Sequence, residues 1–159
     1  SSADGTSWSP ASVGGFGSQD NTAATAMAVF DGRLYVGTRN AVSGCELWST
    51  GNGATWRPEL TGGLGDPGNV EVASLAVFLD RLWLGTTHAI SGCEVWTSGD
   101  GVAWSQVNAD GFGSPATRGA TTMTVHDGRL YVGTHRLASG ADLWRTSDGV
   151  GWERVGPAR

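Results

Sequence analysis

The chain has 159 residues, 39% of them hydrophobic, with 26 glycines and eight tryptophans, a composition of tight turns around aromatic packing that fits one all-β domain over 1–159. A net charge of −5 and a pI near 5.0 exclude the concentrated basic face that nucleic-acid partners require. No apolar stretch approaches the roughly 20 residues of a membrane-spanning helix, so no membrane insertion is expected.

In chain order, the first segment is SSADGTSW, which has neither a basic region nor an apolar signal core and is expected to be an already processed, soluble start. It ends in a DGxxW pattern at Trp8, and an extra N-terminal strand is expected over 1–8. Trp56, Trp104 and Trp152 then follow at a constant step of 48 residues, with Phe16, Leu64 and Phe112 keeping the same step. One unit is therefore written three times, at about 9–56, 57–104 and 105–152.

Each unit reads as a four-stranded meander. After the linker GGFGSQDN, a strand over Thr25–Phe30 meets Asp31-Gly32, a pair that supplies the positive φ angles of a two-residue hairpin. A second strand over Arg33–Thr38 leads through RNAVSG to a third over Cys45–Ser49, and TGNG turns into a fourth centred on Trp56. The second unit has Leu79-Asp80 where its neighbours have Asp-Gly, so a different or strained turn is expected there. Cys45 and Cys93 sit one repeat apart, farther than the roughly 7 Å a disulfide spans, and are expected to be buried free thiols.

Four antiparallel strands joined by short turns, then a glycine-rich crossing, is the pattern of a β-propeller blade. Propellers close with about four to eight blades, so three blades predict a homo-oligomer: a dimer of six is favoured over a trimer of nine. A β-trefoil or a three-sheet β-prism, each closing as a monomer, are the alternatives.

The combination GFGxxxN, DGRLYVGT, GxELW and DGxxW resembles a bacterial β-propeller repeat of secreted multi-repeat proteins, over nearly the whole chain. The last turn is similar to the Asp-box of sialidase-like propellers, but Asn52, Asp100 and Asp148 directly precede the glycine, and that box is a structural turn. With a composition rich in Gly, Ser, Thr and Trp and poor in Lys, the resemblance implies a secreted location. More loosely, the chain is similar in kind to oligomeric propeller lectins, whose sites use an arginine, an acid and tryptophans. Those residue types occur once per unit: Arg33, Glu46, Trp48 and Trp56; Arg81, Glu94, Trp96 and Trp104; Arg129, Asp142, Trp144 and Trp152.

Tryptophan presents a flat apolar face to a pyranose, while Arg and Glu offer directional hydrogen bonds to hydroxyls. The expectation is a multivalent carbohydrate-binding protein, a lectin of glycans without catalysis, cofactor or metal. The alternative is a non-catalytic scaffold or interaction module, or a fragment of a larger propeller. The opposing expectation for the tryptophans is blade-to-blade packing, and for Arg33 with Glu46 a cross-strand ion pair. The three histidines fall at unmatched phases or in one unit only, so no metal cage is indicated, and His88 and His135 are expected on the surface.

Overall fold

The computed structural model describes residues 1–138 and 140–156. Residues 139 and 157–159 of the expected domain lie outside them. The described residues carry twelve β-strands and three short 3₁₀ turns, and no α-helix. No helix among them is long and apolar enough to cross a membrane.

The strands group in fours. Blade 1 holds β1 (Ala23–Phe30), β2 (Arg33–Arg39), β3 (Leu47–Thr50) and β4 (Arg57–Leu60). Blade 2 holds β5 (Asn69–Phe78), β6 (Arg81–His88), β7 (Val95–Ser98) and β8 (Ser105–Gln106). Blade 3 holds β9 (Thr117–His126), β10 (Arg129–Arg136), β11 (Asp142–Thr146) and β12 (Glu153–Val155). Within every blade consecutive strands pair antiparallel. This is propeller topology, and it sets the trefoil and prism aside. The blade frame is offset from the sequence units, because each fourth strand follows its DGxxW tryptophan. The expected strand over 1–8 is corrected: those residues carry no strand, and Trp8 is 74% exposed. Only its turn is kept, with Asp4 accepting the N–H groups of Thr6 and Ser7.

The hairpin chemistry fixes the first turn of each blade. Asp31-Gly32 and Asp127-Gly128 all have positive φ, and Leu79-Asp80 adopts the same turn at φ 51° and 53°. The second blade thus keeps the turn type and strains two ordinary residues to do so.

Side-chain alternation then gives each blade two packing faces. Tyr35, Cys45 and Leu47 of blade 1 pack on Val72, Leu82 and Leu84 of blade 2. Phe78, Trp83, Cys93 and Val95 of blade 2 pack on Ala120, Leu130 and Val132 of blade 3. The recurring GT of the second strand has a steric reason: a Cβ at Gly37 would lie 2.4 Å from the Val72 side chain, and one at Gly85 would lie 2.7 Å from the Ala120 carbonyl oxygen. Both cysteines are free and fully buried, one in each inter-blade core, and burial pushes both thiols up to about 12.

Candidate functional site

In the first two units the acid and the tryptophans come together, and the arginine lies apart from them. Arg33 lies at the hairpin end of its blade, where Nε and Nη2 donate to Ser49 Oγ (3.1 and 2.7 Å), with Glu59 at 3.9 Å. Arg81 repeats the contact with Thr97 Oγ1 at 3.1 Å, and Arg129 lies 3.9 Å from Asp127. The cross-strand pair expected between Arg33 and Glu46 is therefore corrected: each has other partners. Glu46 stands at the opposite end, where Asn21 Nδ2 and Trp48 Nε1 both donate to its Oε2, at 2.6 and 2.8 Å. Glu94 is held the same way by Asn69 and Trp96, at 2.7 and 2.8 Å. These carboxylates clamp the linker to the third strand.

The third unit breaks the clamp. Thr117 replaces the asparagine, and Asp142 is a methylene shorter. Asp142 instead pairs with Arg136 (3.0 Å) and Arg154 (3.4 Å), and Trp144 Nε1 is buried with no hydrogen-bond partner among the described residues.

The tryptophans are assembled with the linkers. Phe16, held at φ 60°, stacks on Trp48 (centroids 5.3 Å, interplanar 14°) and meets Trp56 edge-on at 5.1 Å. Phe112 repeats this with Trp144 at 4.6 Å and Trp152 at 5.4 Å. Leu64, Trp96 and Trp104 pack in the core between blades 1 and 2. Trp56 and Trp152 donate Nε1 to the Ala11 and Val107 carbonyls. A groove of ≈ 560 Å³ borders Pro10, Ala11, Phe16, Trp48 and Trp56. Its nearby acid, Glu46, already accepts two hydrogen bonds, so the groove offers surface and no reactive carboxyl.

His88 is buried, not on the surface as expected, and stands where blade 1 has Asn40. Asn40 Oδ1 accepts the Val42 and Ser43 N–H groups, and His88 Nδ1 accepts those of Ile90 and Ser91. This bonding assigns the ring proton to Nε2, which donates to Asp66 Oδ2 at 3.1 Å. Gly68 N–H and then His88 hold the Asp66 carboxyl below the usual carboxylate range. Ser91, His88 and Asp66 have the composition of a hydrolytic triad but not its roles, because the nitrogen that would take a serine proton is already occupied.

Chemistry-bearing residues that do not repeat gather elsewhere. The first strands of successive blades, β1, β5 and β9, contact one another and form the inner wall. At their N-terminal ends one row of paired residues runs across all three blades: Ala23, Arg39, Glu71, Thr87, Gly119 and His135. Neighbours in such a row lie about 5 Å apart. Two of its links, Arg39 to Glu71 and Thr87 to Gly119, join one blade to the next.

Glu71 is the single carboxylate on β1, β5 and β9, and its repeat mates are Ala23 and Gly119. Arg118, beside Gly119, has Nε and Nη1 buried without a partner among the described residues; its repeat mates are Thr22 and Val70. Sequence reasoning missed this set because it sought residues that recur. The signal available was the reverse: charged residues at phases where the other units carry small or uncharged ones. No cluster of three or more His, Cys, Asp or Glu suited to a metal occurs among the described residues.

No family model matches this sequence, and no curated protein matches it. Several solved structures share the fold. A sucrose-6-phosphate hydrolase from Lactobacillus gasseri aligns with TM-score 0.58 at 14% identity, over 82% of this chain and 32% of its own. An endo-arabinase from Bacteroides thetaiotaomicron aligns with TM-score 0.56 at 10% identity, over 86% and 52%. A glycosyl hydrolase from Bacteroides ovatus aligns with TM-score 0.54 at 14% identity, over 87% and 50%. The chain thus spans about half or less of these neighbours, and at such identities the likeness is one of β-propeller fold. The expectation of a non-catalytic lectin or scaffold is nonetheless overturned: these fold relatives are carbohydrate-cleaving enzymes, and the no-catalysis reading has no support among them.

Proposed function

We propose that this chain is part of a carbohydrate-active β-propeller that cleaves glycosidic bonds, with Glu71 as the carboxyl group presented to the bond. The observation that carries this reading is the placement of Glu71, the one carboxylate on the inner strands, in register with Arg39 and in a row that ends at His135. Neither Arg39 nor Glu71 is tied up in an ion pair among the described residues.

Glycosidic cleavage commonly uses two carboxyl groups roughly 5 to 9.5 Å apart, one donating a proton to the leaving oxygen and one serving as base or nucleophile. The inner strands of this chain supply one, so the second would come from the blades that complete the ring. A guanidinium such as Arg118, with unpartnered N–H groups, suits a sugar hydroxyl or a phosphate acceptor. Membership of the secreted bacterial repeat family remains our reading of the motifs.

The test is a panel of aryl glycosides and α- and β-linked oligosaccharides, with and without inorganic phosphate, read as sugar or sugar phosphate released. Cleavage of one linkage class is expected, and Glu71→Gln should lower kcat by about 10²- to 10⁴-fold with an unchanged circular dichroism spectrum. A chain that cleaves nothing, or a variant that keeps the full rate, would defeat the assignment.

A further inference from the structure

Blades 1 and 3 each keep one packing face uncovered, and the repeat shows what such faces meet. At both internal junctions the donor blade inserts side chains from the same two positions: Tyr35 and Trp83 are 2% and 1% exposed, and Leu47 and Val95 are both 0% exposed. Their counterparts in blade 3 are Tyr131, only half-buried, and Leu143, 38% exposed. On the receiving side, Leu75 and Met123 are half-buried, whereas Met27, in their place in blade 1, is 67% exposed. Val72 and Ala120 are fully buried, and their counterpart Ala24 is exposed.

Two finer features match. The ring tips of Tyr35 and Trp83 press on the turn glycine of the next blade: a Cβ at Gly101 would lie 2.2 Å from Tyr35 Oη, and one at Gly149 would lie 2.7 Å from Trp83 Cη2. At Gly53, the same turn in blade 1, nothing lies within 4 Å. Each junction also carries a hydroxyl-to-carbonyl bond of 2.6 Å, from adjacent and not equivalent positions: Thr25 Oγ1 donates to the Val72 carbonyl and Ser74 Oγ to the Ala120 carbonyl. Thr122, which holds the place of Ser74 in blade 3, keeps its hydroxyl side chain exposed.

We infer that the open face of blade 3 docks on the open face of blade 1 of a second copy of this chain, so that two chains close one six-bladed ring. The second copy fits because both faces are the two halves of a junction already made twice inside the chain. A head-to-tail contact of this kind closes when a two-fold rotation brings it round, and six blades lie within the usual range where nine do not. The row from Ala23 to His135 would then continue into the partner and encircle one channel, setting two Glu71 carboxyls around it. That last consequence rests on the proposed function; the docking itself does not.

The experiment is native mass spectrometry with light scattering on the chain at micromolar concentration, independent of any activity. The expected species is twice 16.4 kDa. Leu143→Arg and Met27→Arg, made separately at exposed positions on the two opposite faces, should each raise the dissociation constant by about 100-fold, as loss of a central interface residue does, with unchanged thermal unfolding of the single chain. A single-copy mass throughout, which is the outcome if further blades of a longer polypeptide cover these faces, would overturn the inference. So would a three-copy species, or a two-copy species indifferent to both substitutions.

Discussion

The acidic residues divide by what their oxygens accept. Asp100 Oδ1 accepts the Val102 and Ala103 N–H groups and the Ser98 hydroxyl, and Asp148 repeats the bonds to Val150, Gly151 and Thr146. Those backbone N–H groups hold both carboxyls below the usual carboxylate range. A folded-state pKa below the unfolded value of about 3.9 gives stability that is complete above that value and is lost as pH falls through the lower folded one. Blade 1 makes the same turn with Asn52, whose amide oxygen accepts the same bonds without titrating. Urea unfolding at pH 5 and pH 3 should therefore show a fall in stability for the native chain. The fall should be smaller in the double variant Asp100→Asn with Asp148→Asn, and an equal fall in both would remove the turn carboxylates as its source. Glu46 and Glu94 belong to another class, since their bonds come from side-chain N–H groups that lock linker to strand.

Among the elements, the hairpins show how far residue chemistry alone can be read. Asp-Gly at 31–32 and 127–128 announces a two-residue turn, and that turn forms. Leu79-Asp80 announces a conflict, and the conflict is settled in favour of the blade, because the pairing of Phe78 with Arg81 and Val77 with Leu82 holds register on both sides. Each non-glycine residue in the left-handed region costs on the order of 1 kcal/mol. Leu79 is 53% exposed and contributes little packing. Leu79→Asn with Asp80→Gly should then stabilise the chain by about 1 to 2 kcal/mol, read in a thermal scan as a rise of several degrees. No rise would mean that the turn has lost its strain by means other than its residue types. The linkers were less legible. GGFGSQDN reads as a loop, but nothing local says that Phe16 adopts a left-handed conformation to lay its ring on Trp48, since that conformation is imposed by a partner more than thirty residues away.

At the scale of the whole molecule, periodicity revealed the blades and drew the eye to the residues that recur with them. The recurring residues hold the same local place in each blade: Trp48 stacks on Phe16, Trp96 packs between blades 1 and 2, and Glu46 and Glu94 bind Asn21 and Asn69. Glu71 and Arg118, the residues of the proposed site, do not recur. The row that holds Glu71 was hidden because the Arg39 to Glu71 and Thr87 to Gly119 pairings cross between blades and follow from how the blades fan around an axis. The same arrangement sets a gradient of stability. Blade 2 is covered on both faces, and Leu82, Trp83, Leu84, Gly85 and Thr86 of β6 are buried in succession. Blades 1 and 3 each lack one neighbour, so part of their apolar surface gives no stabilisation in a single chain. Hydrogen exchange on the single-copy form should therefore find the slowest amides in β6 and β7, with β2 and β10 exchanging faster through sub-global opening of the outer blades. Raising the concentration until two copies associate should slow exchange in β2 and β10 towards the rate of β6, because the missing neighbour is then supplied. Uniform exchange across all three blades in the single-copy form would mean that the chain unfolds as one cooperative body and that the uncovered faces cost it little.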